Sequence, residues 1–77
     1  MSYVVQSVIL KKDKFTQREA ERWIRDHDYK LTNPDITQHY YRFRQMDPAV
    51  LHHYRFREIP LGSDGYLVVA YPEKSNR

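Results

Sequence analysis

The sequence has no cysteine, so neither a disulfide framework nor a zinc–thiolate site can brace the fold, and a reducing compartment suits it. No apolar run approaches membrane-spanning length, and the N-terminus lacks the basic-then-apolar layout of a signal peptide. The expected location is therefore the cytoplasm, with no membrane partner. Glycine occurs only twice, at Gly62 and Gly65, outside the strand–loop–helix setting that a phosphate-binding loop requires. Apolar residues are also scarce for a free-standing fold: 40% of 77 residues, seven of them Tyr, with a mean hydropathy of −0.87. That bounds the chain to one domain, residues 1–77, with a thin core that a partner or a second copy would help to stabilise.

What the chain has instead is a doubled motif. His39 to Gln45 reads HYYRFRQ and His53 to Arg57 reads HYRFR. Each Tyr-Arg-Phe-Arg unit alternates with the period of a strand, Tyr41 and Phe43 against Arg42 and Arg44, then Tyr54 and Phe56 against Arg55 and Arg57. If the two units pair antiparallel, matching their apolar faces gathers all four arginines on the opposite face. The charge is confined in the same way. His39 to Arg57 holds four Arg and one acid, Asp47, whereas the other nine Lys and Arg are balanced by nine Asp and Glu. Guanidinium groups favour planar, bidentate contact with phosphate or carboxylate, and like charges directly opposite are unfavourable. The expected site is thus a cationic sheet face of Arg42, Arg44, Arg55 and Arg57, with Tyr40 and His53 in phase, binding a polyanion.

The remaining elements follow from local signals. Tyr3 to Leu10 is β-branched and apolar on both faces, Val5 and Ile9 with Ser7 on one, Val4 and Val8 with Gln6 on the other, so it belongs inside a sheet. Thr16 and Glu19 form a capping box with Phe15 and Ala20 in staple positions. Ala20, Trp23, Ile24 and His27 then make one apolar helical stripe that ends near Asp28. Tyr29 to Gln38, broken by Asn33-Pro34-Asp35, reads as a loop. Asp47-Pro48 implies a long hairpin loop between the motif strands, Pro60 ends the second, and Gly62 to Gly65 turns the chain into a last strand, Tyr66 to Tyr71. The fold class is α+β, one small domain with order β-α-β-β-β, a mostly antiparallel sheet and one helix on one face. The ordered core runs from about residue 3 to 72, with a frayed tail at 73–77. The expected core is Trp23, Ile24, Tyr41, Phe43, Phe56 and Val69.

Catalysis finds little support. His39, His52, His53 and Asp47 match no zinc spacing, and adjacent His52 and His53 would face opposite ways in a strand. His53 as a general base beside an arginine clamp lacks a carboxylate pair or a second positioned base. No catalytic residue, metal or cofactor is expected. Arginines interleaved with aromatics on an open sheet face are one way of building a single-strand nucleic-acid surface.

The residues Phe15-Thr16, Trp23, His27, Tyr29-Lys30 and Tyr41-Arg42-Phe43-Arg44-Gln45 carry a further likeness. They resemble a short module found in or beside the prohead proteases and other head-morphogenesis proteins of tailed bacteriophages. Tyr54 to Ala70 is similar to the Arg-bearing strand, Gly-containing turn and apolar strand that follow in that module. Asp28 stands where a helix-ending Gly is usual, and no protease domain is expected within these 77 residues. The resemblance implies a viral or phage-derived accessory module, in the host cytoplasm or associated with virions, and carries over no catalytic residue. Two functions follow as expectations: binding of a polyanion, nucleic acid first, or docking in assembly to a viral or host protein, with homodimerisation open.

Overall fold

The computed structural model describes residues 3–73, and residues 74–77 of the expected tail lie outside them. Five antiparallel strands form one sheet: β1 (Val4–Lys11), β2 (Asp35–Ile36), β3 (Tyr40–Arg44), β4 (Tyr54–Pro60) and β5 (Gly65–Pro72), in the order β2-β3-β1-β5-β4. One helix, α1 (Gln17–Asp26), packs on one face, giving the α+β class. No helix among the described residues is long and apolar enough to cross a membrane.

The helix forms where its caps dictate. Thr16 Oγ1 accepts from the Glu19 amide at 3.2 Å, and the Thr16 amide donates back to Glu19 Oε1 at 2.9 Å, closing the capping box. At the other end Asp28 takes a φ of 61°, while the amides of Asp28 and Tyr29 donate to the carbonyls of Arg25 and Ile24. This is a Schellman ending with Asp where Gly is best suited. Asp28→Gly should therefore stabilise the domain by about 0.5–1 kcal/mol, read as a higher denaturation midpoint with an unchanged m-value.

Ala20 and Ile24 bury the helix stripe against Val8 and Leu10 of β1, Tyr41 and Phe43 of β3, and Leu67 and Val69 of β5. Trp23, expected in the core, is instead half-buried at its margin, stacked 6.0 Å from Tyr29 and 3.8 Å from His27. As expected from its two apolar faces, β1 is an inner strand. Its alternation breaks at Gln6, where the register with β5 shifts between Val5 and Ser7. Val5 consequently packs toward the helix-side core, and Ser7, opposite Val68, does not.

Four further expectations fail. The stretch read as a loop from Tyr29 to Gln38 contains β2, a two-residue edge strand paired with Arg42 and Tyr41. The two motif strands do not pair, because β1 and β5 stand between β3 and β4. Their connection is not a hairpin loop but an arch along one end of the sheet, containing a 3₁₀ turn at Pro48–Leu51. The arch is tied down at its start, where Gln6 accepts from the amides of Gln45 and Met46 through its backbone carbonyl, and its side chain donates to the Met46 carbonyl at 2.7 Å. At its end the Glu73 amide donates to the His53 carbonyl. Finally, Phe56 is not in the core. It is 47% exposed, on the face away from the helix.

Candidate binding surfaces

Phe56 lies outside the core because of the phase of β4. The Leu61 amide donates to the Gly65 carbonyl, and from that turn the pairs Ile59–Leu67, Arg57–Val69 and Arg55–Tyr71 follow. Leu67 and Val69 face the helix, so Ile59, Arg57 and Arg55 do too, while Tyr54, Phe56 and Glu58 face the opposite side. Ile59 and Leu61 pack against the core. Burying those two aliphatic residues commits the rest of the strand through its period of two. In β3 the phase is reversed: Tyr41 and Phe43 face the helix, and Tyr40, Arg42 and Arg44 face away.

The expected single face of four arginines is therefore split between the two sides of the sheet. Arg42 and Arg44 lie on the open face, Arg55 and Arg57 on the helix side of the far edge. Neither pair stands free of acids. Arg44 Nη2 lies 3.6 Å from Asp35 Oδ2, and Arg55 Nε lies 4.0 Å from Glu73 Oε2. These exposed ion pairs stabilise little, but they lower the charge available to a ligand. Arg57 rests over the Tyr71 ring, 5.9 Å from its centroid. His53 is exposed in the turn before β4, its ring 4.4 Å from that of His52, so the two histidines do not diverge as strand neighbours would.

Two surfaces emerge in place of the predicted one. The first is the centre of the open face. Tyr40 and Tyr66 meet edge-to-face at 5.7 Å above Ile9, which is only 4% exposed beneath them. Burial, then the charge of Glu58 and the neighbouring Tyr40, raise the Tyr66 hydroxyl pKa above its usual value, and Arg42 opposes them. Those four groups consequently share one neighbourhood. Arg42 Nε reaches Ser7 Oγ at 3.5 Å, and Ser7 Oγ donates to Gln6 Oε1 at 2.6 Å. Lys11, opposite Tyr40, adds a second cation.

The second surface is the outer edge of β4, which the sequence reading placed inside a pair. The Leu61–Gly65 and His53–Glu73 hydrogen bonds set the phase of the ladder, so odd-numbered residues of β4 direct their backbone groups toward β5. The N–H and C=O of Tyr54, Phe56 and Glu58 therefore point outward, with no neighbouring strand among the described residues. Three charged residues and a terminal proline within seven positions were the available signal, since charge and Pro mark edges. β2, at the opposite edge, is only two residues long.

The residues on which the expected phage-module resemblance was drawn serve the fold. Tyr41 and Phe43 are core, Trp23 stacks on His27 and Tyr29, and the Gln45 side chain clamps the backbone of Lys30 with bonds of 2.7 and 2.9 Å. The pattern Trp-x-x-x-His-x-Tyr-Lys followed by Tyr-Arg-Phe-Arg-Gln thus encodes helix ending, core and loop anchoring. Among the described residues no three His, Asp or Glu side chains converge as a metal site would need. No protein-family model, no curated protein and no solved structure matches this chain.

Proposed function

We propose that the domain is a non-enzymatic docking module, of the kind used in virion assembly, whose docking element is the edge of β4. The observation that carries this reading is a seven-residue edge strand whose outward backbone groups have no partner among the described residues and whose central residues, Arg55 to Glu58, are all exposed. Such an edge is a template for strand addition, in which main-chain hydrogen bonds supply affinity and alternate side chains supply selectivity. The likeness of the chain to a head-morphogenesis module supports the same class of role.

An edge-specific substitution tests it. The Glu58 N–H points outward, so Glu58→Pro removes a docking donor without breaking the ladder to β5, a position where a strand tolerates proline. On an array of extended peptides, the parent and Glu58→Ala should retain a common subset, and Glu58→Pro should retain none. An identical subset for Glu58→Pro, or no retention by the parent, refutes edge docking.

The open face favours a second reading, since Lys11 and Arg42 flank the Tyr40–Tyr66 pair and a single strand of nucleic acid would find both cation and platform there. With two cations on that face that make no ion pair among the described residues, rather than four arginines, the log–log dependence of affinity on salt should have a slope of about −1 to −2. Fluorescence polarisation with single-stranded oligonucleotides at two salt concentrations measures it. A slope near −3 to −4 would instead recruit Arg55 and Arg57 as phosphate contacts.

A further inference from the structure

From the register of β4 we infer that its edge selects an acidic, extended segment of a partner protein, with acid–apolar–acid side chains at three successive positions. This rests on the edge-docking reading and specifies what docks. Phe56 has outward backbone groups, so a strand added there forms a hydrogen-bonded pair at Phe56 and non-hydrogen-bonded pairs at Arg55 and Arg57. Opposite side chains approach closest in non-hydrogen-bonded pairs. Two incoming residues thus meet Arg55 and Arg57 on the helix side, and the one between them meets Phe56 on the other. Carboxylates match the guanidinium groups, and an aliphatic side chain covers the exposed Phe56 ring. Arg55 is already 4.0 Å from Glu73, an exposed contact that a better-placed carboxylate displaces at little cost.

Charge also argues against the other obvious occupant, a second copy of β4. Two copies related by a twofold axis normal to the sheet pair residues of the same parity. Centred on Arg55 or on Arg57, that residue meets itself. Centred on Phe56, Arg55 meets Arg57 twice, and centred on Glu58, two carboxylates meet. Every central register opposes like charges, so the residues that repel a copy are the ones an acidic strand would neutralise.

The test uses fluorescein-labelled Thr-Glu-Val-Glu-Thr peptides with blocked ends, alongside versions with Gln or Lys in place of Glu. The parent should bind the Glu peptide about five- to tenfold more tightly than the Gln peptide, and the Lys peptide least. Arg55→Gln with Arg57→Gln should erase the difference between Glu and Gln peptides. In the unmodified protein, the amides of Phe56 and Glu58 should gain protection from hydrogen exchange when the Glu peptide is added, a readout that needs no variant to fold. Equal binding of Glu and Gln peptides, still lost in Glu58→Pro, overturns acid selection but keeps edge docking. Glu-peptide binding that Glu58→Pro leaves intact, or that protects no β4 amide, overturns both. So does failure of every peptide to bind, and oligonucleotide binding in that case assigns the cations to nucleic acid. Association of the free protein into dimers that Glu58→Pro dissolves would give the edge to a second copy instead.

Discussion

Phe43→Ala should cost about 3–5 kcal/mol, and Phe56→Ala about 0.5 kcal/mol or less, although each Phe is the third residue of a Tyr-Arg-Phe-Arg unit. Phe43 is the largest of the fully buried side chains, enclosed by the helix and the inner strands. Truncating it removes a large apolar surface from the core and leaves a cavity that the flanking backbone can close only in part. A domain of this size is stabilised by roughly 5–15 kcal/mol in all, so the variant should melt many degrees lower. Phe56 lies across the sheet on the outermost strand, 47% exposed, where water replaces the lost contacts. Urea denaturation of both variants under one set of conditions gives the comparison. Equal losses would mean that β4 takes the opposite phase, with Phe56 inward and its arginines on the open face.

That contrast shows which parts of the fold were legible in the sequence. The Thr16–Glu19 box, the Ala20–Ile24 stripe, the apolar inner strands and the turn at Gly62 to Gly65 are local. Their causes lie within a few residues, and each appeared in place, although of the expected stripe Trp23 is only half-buried and His27 is exposed. The failures were non-local. Repetition of the motif suggested that β3 and β4 pair, yet β4 takes its partner and its phase from the tight turn into β5, a shorter loop to close than the arch from Gln45 to His53. Once Ile59 and Leu61 pack inward, the arginines of β4 follow. The clustered positive charge was real in the sequence but divided by the sheet. The break in β1 at Gln6 was equally hidden, since the Met46 carbonyl to which the Gln6 side chain donates lies forty positions away along the chain.

The division of charge also changes what the domain is suited to hold. A polyanion lying on one face can reach Arg42 and Lys11 there, but Arg55 and Arg57 only around the rim of the sheet. A strand added at that rim meets both of these arginines at its own spacing, and Phe56 between them. The geometry that weakens the expected nucleic-acid surface is the one that favours the proposed peptide edge. Both depend on the β4–β5 hairpin keeping its register.

That register hangs on Gly65, and Gly65→Ala should be among the most damaging single substitutions in the chain, costing about 3–5 kcal/mol. Gly65 opens β5 opposite Leu10 with a φ of 150°, a conformation side chains avoid. A Cβ added there would overlap the Ile9 carbonyl oxygen and lie 3.0 Å from both the Ile9 carbonyl carbon and Leu10 Cα. All three are backbone atoms of the central strand, which cannot swing aside like the end of a long side chain. Relief requires β5 to move off β1, and that would strip the core of Leu67 and Val69 while shifting the pairing that orients β4. Gly62 provides the control. Its φ of 64° is also left-handed, but nothing lies within 4 Å of the added atom, so Gly62→Ala should cost only the conformational penalty, about 1–2 kcal/mol. Urea titration followed by circular dichroism should show a denaturation midpoint close to the parent's for Gly62→Ala and a far lower one for Gly65→Ala. A folded Gly65→Ala with parent-like amide protection along β4 would mean that the hairpin register does not depend on close approach at Gly65.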